Sequence, residues 1–280
     1  MRIRLLPLLA LLAMGCDSEA SAPTPPVVSL PAIGTAFDAT KCGRITGRVT
    51  WKGPIPVVAD FPNIVWQADG TYSFLTAKNP YAPRVNPKTL GLEGAVVWLQ
   101  GVPSAAAHPW DLPPVSVEIN HEKITVVQGD RRGRVGFVRP GDSITVSSTD
   151  ANYHVLRGRG DAFFSLTLPE PGKPVTRTLT TCGRVELSSG SGKFWSRGDL
   201  FVADHPYFAV TDADGRFVLD RVPAGTTKLV VWQPGWETAR TERDPDSTVM
   251  ARIVYTPPIE RSTVVQIVAG QTQDTSLSIP

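Results

Sequence analysis

Apolar and polar positions along this chain fall into short runs, and no segment keeps apolar residues at the spacing of an amphipathic helix. The clearest stretch is 204–236, DHPYFAVTDADGRFVLDRVPAGTTKLVVWQPGW. Phe208 to Thr211 is strand-prone and stops at Asp212-Ala213-Asp214-Gly215, where carboxylates suited to Asx-turns and a glycine free to take positive φ reverse the chain. A second strand is predicted over Arg216 to Leu219. Asp220 to Gly225 then interrupts it, because Pro223 presets φ and donates no hydrogen bond, before Thr226 to Gln233 runs extended. Upstream, Gly94 to Gln100 is an apolar run suited to a buried strand, with Trp98 in the core. Val115 to Ile119, Lys123 to Val127 and Ser143 to Ser148 alternate as half-buried strands, and Arg134 to Arg139 extends the set. Val57 to Leu92 reads as loop, and Ser104 to Pro114, with three alanines and three prolines, as a linker.

Composition narrows the fold class. Proline and glycine, at 26 and 24 of 280 residues, punctuate runs rich in Val, Ile and Thr, which favours an all-β architecture. There is no internal repeat of fixed period. The roughly 240 residues from Cys42 onward, in a chain with 41% hydrophobic side chains, can support two small β-domains or one large one.

The N-terminus changes the picture of where the chain works. Met1-Arg2-Ile3-Arg4 followed by Leu5 to Met14 is a basic region and a short apolar region, the pattern of an export signal and too short for a transmembrane helix. Ala13-Met14-Gly15-Cys16 resembles a bacterial lipobox, which implies lipidation of Cys16 and cleavage just before it. Removing residues 1–15 takes away Arg2 and Arg4 and no acid, so the 28 basic side chains fall level with the 26 acidic ones. A neutral chain lacks the basic stripe that nucleic acid requires. Residues 16–41, rich in proline, serine and alanine from Ser18 to Ile33, read as a flexible tether from the membrane.

Two resemblances give the architecture. Val210-Thr211-Asp212-x-Asp214-Gly215-Arg216-Phe217, followed by Val222-Pro223-Ala224-Gly225, resembles the carboxypeptidase regulatory-like domain, a small transthyretin-like β-sandwich. Gly47 to Pro56 resembles that family's first strand and Val264 to Leu277 its last. The run from Val115 through Ser148, with Asp150 and His154 after it, resembles a cupredoxin of the type fused to such domains in bacterial envelope proteins. The resemblances imply an all-β fold. Residues 42–104 and 199–280 form a transthyretin-like sandwich split in sequence, and residues 114–198 form a cupredoxin-like Greek-key sandwich inserted in it.

The cupredoxin resemblance implies a testable ligand set. Such a centre holds copper through two histidines, a cysteine thiolate and an axial methionine, because soft sulfur with imidazole suits copper in both oxidation states. His154 matches the first histidine. The second cluster belongs shortly before Asp204, where this chain has Leu187-Ser188-Ser189-Gly190-Ser191-Gly192-Lys193-Phe194-Trp195-Ser196, without cysteine, histidine or methionine. His154 alone is a weak metal candidate, and His108, His121 and His205 add nothing to it. No cofactor is expected.

Other chemistry is sparse. No nucleophile-elbow, zincin or phosphate-loop motif occurs, and Asp212, Asp214 and Asp220 are explained by turn geometry better than by calcium. Trp195 and Trp236 are candidates for stacking on a sugar ring or anchoring a partner. Cys42 and Cys182, each preceding a Gly-Arg and a strand-like run, are expected to pair as a disulfide in an exported protein. The sequence thus points to a non-catalytic envelope lipoprotein, anchored on the periplasmic or surface side, that binds an envelope protein or a glycan. A copper-binding or electron-transfer protein with an atypical site, or a carbohydrate-binding module, are the alternatives.

Overall fold

The computed structural model describes residues 32–66, 69–243 and 250–280. The signal segment, Cys16 and most of the expected tether lie outside the described residues. Residues 32–41 do not behave as a tether. Ala32 bridges to Thr226, Ile33 packs against the apolar core, and Phe37 N–H donates to Ala105 O at 2.9 Å. Asp38 then caps a short 3-10 turn, its carboxylate accepting from Thr40 N–H at 3.0 Å.

The chain is built almost wholly of strands. β1 (Cys42–Trp51) comes first. Two small hairpins follow, β2 (Phe61–Trp66) with β3 (Tyr72–Ala77) and β4 (Arg84–Val85) with β5 (Leu92–Glu93), and then β6 (Val96–Gln100). Next come β7 (Val115–Asn120), β8 (Lys123–Gln128), β9 (Arg131–Gly133), β10 (Val135–Val138) and β11 (Ser143–Ser148). β12 (His154–Gly160), β13 (Phe164–Leu168), β14 (Val175–Thr178), β15 (Gly183–Ser189) and β16 (Arg197–Val202) continue the run. The chain closes with β17 (Phe208–Val210), β18 (Arg216–Pro223), β19 (Gly225–Gln233), β20 (Thr238–Arg243), β21 (Met250–Tyr255), β22 (Ile259–Ile267) and β23 (Thr272–Ile279).

β6 is hydrogen-bonded to β17 and β19, so strands from both ends of the sequence share the sheet β17-β6-β19-β22 while β7 to β16 lie between them in the chain. A second sheet, β18-β1-β23, packs over it. Period-two alternation gives each sheet one apolar face, and Ile45, Phe217 and Leu277 meet Val97, Leu229 and Val265 in a dry core. Between β6 and β17 the chain forms two five-stranded sheets, β10-β16-β15-β12-β13 and β14-β11-β7-β8-β9. Val117, Val126, Ile144, Leu156, Leu187 and Leu200 fill the space between them. A smaller cluster joins the two bodies: Val96 and Trp232 from β6 and β19 pack with Val135, Phe137 and Phe201 from β10 and β16.

Several expectations are corrected. Val57 to Leu92 is not loop throughout, because it holds the β2–β3 and β4–β5 hairpins. The Asp69-Gly70 pair between β2 and β3 is a hairpin signal, and the Asp69 carboxylate accepts from Thr71 N–H at 2.9 Å. Ser104 to Pro114 is no free linker, since Ala106, Ala107 and His108 are buried. β18 runs through Asp220 to Pro223 instead of breaking. The register against β1 shifts there, and Arg221 takes φ 52°, so a bulge absorbs the irregularity on an edge strand where Pro223 leaves no central ladder bond unmade. The closing run is two strands, β22 and β23, which pair in different sheets. Trp98 is half-buried at the junction, stacked on Phe208 at 6.2 Å.

Candidate functional site

His154 begins β12 and is buried, 3% exposed, with its Nε2 3.0 Å from Asp150 Oδ2 but off the line of a good hydrogen bond. Asp150 is committed elsewhere. Its Oδ1 accepts from His121 N–H at 2.7 Å and its Oδ2 from Glu122 N–H at 2.8 Å. These two residues form the tight β7–β8 turn with φ 46° and 60°, a left-handed pair that a non-glycine sequence adopts only with such support. Burial acts to raise the Asp150 carboxyl, but the two amides and His154 outweigh it, so the group titrates below its ordinary value.

The 189–196 loop, where a copper protein of the resembled type would supply its other ligands, offers hydroxyls. Ser191 Oγ accepts from Val155 N–H at 3.2 Å, and Ser196 Oγ accepts from Ile124 N–H at 2.9 Å. Cys182 precedes β15 at the end opposite to Ser189, which neighbours Leu156, and the six residue steps of β15 separate the two ends by about 20 Å. Among the described residues no group of three His, Cys, Asp or Glu side chains is arranged to hold a metal ion. The donor set therefore does not fit a blue-copper centre.

The remaining candidates are placed as follows. His108 is buried with its ring edge-on to Tyr207 at 4.9 Å, His205 is buried and stacked on Phe208 at 5.5 Å, and His121 is exposed in its turn. Burial lowers the His205 pKa, which keeps its ring neutral at neutral pH. The expected disulfide is absent, and both cysteines are free. Cys42 opens β1 beside Pro223, its thiol donating to Asp38 O at 3.2 Å, whereas Cys182 is exposed on the β7–β16 body. Trp236 is half-buried, edge-on to Trp51 at 5.4 Å, and its carbonyl accepts from Asn79 Nδ2 at 2.7 Å. Trp195 is half-buried between Phe194 at 4.9 Å and Lys193 Nζ at 5.7 Å. The two tryptophans belong to separate packing clusters.

The densest polar constellation was not singled out from sequence. On the outward face of β15 and β16, Glu186 and Asp199 are ladder partners, and Asp199 is fully buried. Arg184 grips Asp199 Oδ1 with Nε at 2.9 Å and Nη2 at 2.6 Å, while Arg197 Nη1 holds Glu186 Oε1 at 2.6 Å and its Nη2 donates to Ile253 O at 2.8 Å. Arg134 Nη1 lies 3.8 Å from Asp199 Oδ2, and Arg252 Nη2 lies 3.7 Å from Glu186 Oε1. Aromatic rings cover the cations: Arg184 stands 4.7 Å over Trp232, Arg134 5.0 Å over Tyr81 and Arg197 5.8 Å from Tyr255. Burial, with Asp199 and Glu186 adding to it, pushes the Tyr81 hydroxyl well up, and burial raises Tyr255 to about 12. Arg184-x-Glu186 and Arg197-x-Asp199 alternate as charged positions on strands, the same pattern as a solvated face, so only the covering segments around Tyr81 and β21 reveal the burial.

No protein-family model matches the chain, and no curated protein matches it. Among solved structures, a copper(I) form of an amicyanin variant is 18% identical and covers 38% of this chain and 98% of its own, with a TM-score of 0.26. A purple cupredoxin from Nitrosopumilus maritimus is 15% identical, covering 31% of this chain and 98% of its own at a TM-score of 0.25. A copper-containing nitrite reductase from Thermus scotoductus is 16% identical over 38% of this chain and 25% of its own, at 0.27.

Proposed function

We propose that the chain is a non-catalytic cell-envelope lipoprotein whose β-sandwiches serve as a binding or interaction module, with the body of sheets β17-β6-β19-β22 and β18-β1-β23 of the carboxypeptidase regulatory-like kind. The observation that carries this reading is the fate of His154. The one residue that matches a cupredoxin ligand is turned onto Asp150, and Asp150 holds the β7–β8 turn. Serine hydroxyls that satisfy backbone amides stand in the 189–196 loop. An electron-transfer role would need a thiolate at that end of the body, and Cys182 is at the other. A glycan-binding face would need exposed, coplanar aromatic rings, whereas Trp195 and Trp236 are each half-buried against an edge-on neighbour. The envelope part of the reading rests on the sequence of residues 1–31.

Protein isolated from the envelope fraction of its own cells, after labelling with a fatty-acid analogue, tests the proposal. Label that is lost in Cys16→Ser, together with copper far below one per chain, is the expected result. Equal label in Cys16→Ser would refute the anchor, and stoichiometric copper would refute the non-redox role.

A further inference from the structure

A half-open cavity of about 190 Å³ is bounded by Tyr81, Arg184, Glu186, Arg252, Tyr255 and Pro257. One water needs only about 10–15 Å³ of such space, so the cavity has room for a small organic molecule. We propose that it is a binding site for a small oxyanion, a carboxylate or a phosphate monoester. This goes beyond the non-catalytic role proposed above and does not depend on it.

Three observations converge. First, polar atoms of the lining residues lack partners among the described residues: Tyr81 Oη, Tyr255 Oη and Arg252 Nε are buried with no hydrogen bond there. Tyr81 is 1% exposed, and a buried hydroxyl left unsatisfied is rare enough to call for a ligand or ordered solvent. Second, the charges are out of balance. Among the described residues, Arg134, Arg184, Arg197 and Arg252 are grouped with Glu186 and Asp199, of which Arg184, Arg252 and Glu186 line the cavity, and the rim carboxylate Glu242 reaches Arg252 at 3.7 Å while it is also shared with Arg240 at 2.9 Å. Guanidiniums in excess of their counter-charges and partly withdrawn from water, as Arg184 and Arg252 are at 29% and 25% exposure, favour an anion beside them. Third, each of the three unpartnered lining groups can donate, while the unpartnered acceptor of the cluster, Asp199 Oδ2, is not on the cavity wall. A guanidinium cannot accept, and the raised Tyr81 and Tyr255 hydroxyls keep their protons at neutral pH, so the free valences match the acceptor-only oxygens of a carboxylate or phosphate.

Neutral polyols would leave the charge imbalance in place, and a large anion would not fit.

Calorimetric titration of the whole protein tests the assignment, using succinate and glycerol 3-phosphate as probes and sodium chloride of equal ionic strength and glycerol as controls. At least one probe is expected to bind at one site per chain and to raise the melting temperature above both controls. Succinate binding alone identifies a carboxylate site, glycerol 3-phosphate alone a phosphate site. Arg252→Gln is expected to weaken that binding by about tenfold, as loss of a charge-assisted pair does, and the packing-neutral Tyr255→Phe by a smaller factor. Lys123→Gln, at an exposed position in the β7–β8 hairpin, is expected to bind as wild type. Failure of both probes to exceed the controls would overturn the proposal, and so would wild-type binding by the Arg252→Gln and Tyr255→Phe proteins.

Discussion

Asp150 carries more of the local structure than its exposed-looking position in the sequence suggests, since one carboxylate holds two left-handed residues in place and flanks a buried imidazole. Asp150→Ala removes two charge-assisted acceptors and is expected to cost about 2–3 kcal/mol by urea denaturation at pH 7. The folded carboxyl is held below its ordinary 3.8, so its contribution is fully present above that value and fades as pH falls through the lower folded pKa. The stability gap between wild type and Asp150→Asn should therefore narrow on acidification below about pH 4. A gap that stays constant or widens in acid would contradict the assignment. At the cysteines, both thiols are expected to react with a thiol reagent in unreduced, unfolded protein. In the native state exposed Cys182 should react first, because burial, with Asp38 adding to it, raises the Cys42 thiol above its ordinary value. His154 was legible as a candidate because it follows Asp150 at a family spacing. Its structural use was not legible, because the β7–β8 turn that Asp150 serves is distant in sequence.

Turns decide most of the architecture at the next scale. The Asp212 to Gly215 reversal reads directly from the residues: Asp212 Oδ1 accepts from Asp214 N–H at 2.9 Å and Arg216 N–H at 2.8 Å, and Gly215 takes φ 77°. A Cβ on Gly215 would stand 2.1 Å from Val49 O and 2.8 Å from Leu92 N, so backbone must move to admit it. Gly53 shares the left-handed geometry, at φ 101°, with nothing within 4 Å of a Cβ. Gly53→Ala is accordingly expected to cost about 1–2 kcal/mol, the backbone strain alone, and Gly215→Ala distinctly more. Equal midpoints in a denaturant titration of the two variants would contradict the close packing at Gly215. The strands β6, β7, β8, β11 and β19 were legible because each alternates or is apolar throughout. β2 and β3 do not stand out in the apolar pattern, although Asp69-Gly70 marks their turn, and β18 is longer than its sequence suggests because Pro223 reads as a breaker when the neighbouring strand is unknown. The charged face of β15 and β16 defeats sequence reading for a different reason, since burial of Asp199 and Arg197 depends on segments far away in the chain.

Across the molecule, the body formed by β7 to β16 is not a free appendage. Trp232 on β19 packs edge-on to Phe201 on β16 at 5.3 Å, beneath the Arg184 guanidinium, so one aromatic cluster stabilises both bodies. Trp232→Ala is expected to cost about 3–5 kcal/mol and, in scanning calorimetry, to lower the melting of both bodies together. A variant in which one transition keeps its wild-type midpoint would show that the bodies are energetically separate. The central claim, that this β-architecture holds no redox metal centre, is tested most directly by loading the pure protein with copper(II), desalting it and recording its visible spectrum. Thiolate-to-copper charge transfer needs a cysteine among the ligands, and the end of the body that holds His154 has none. The expected result is no intense band near ~600 nm, where thiolate-to-copper transfer absorbs, and no retained stoichiometric copper. An intense band with about one copper retained per chain, both abolished by Cys182→Ser, would contradict the claim and make electron transfer the function.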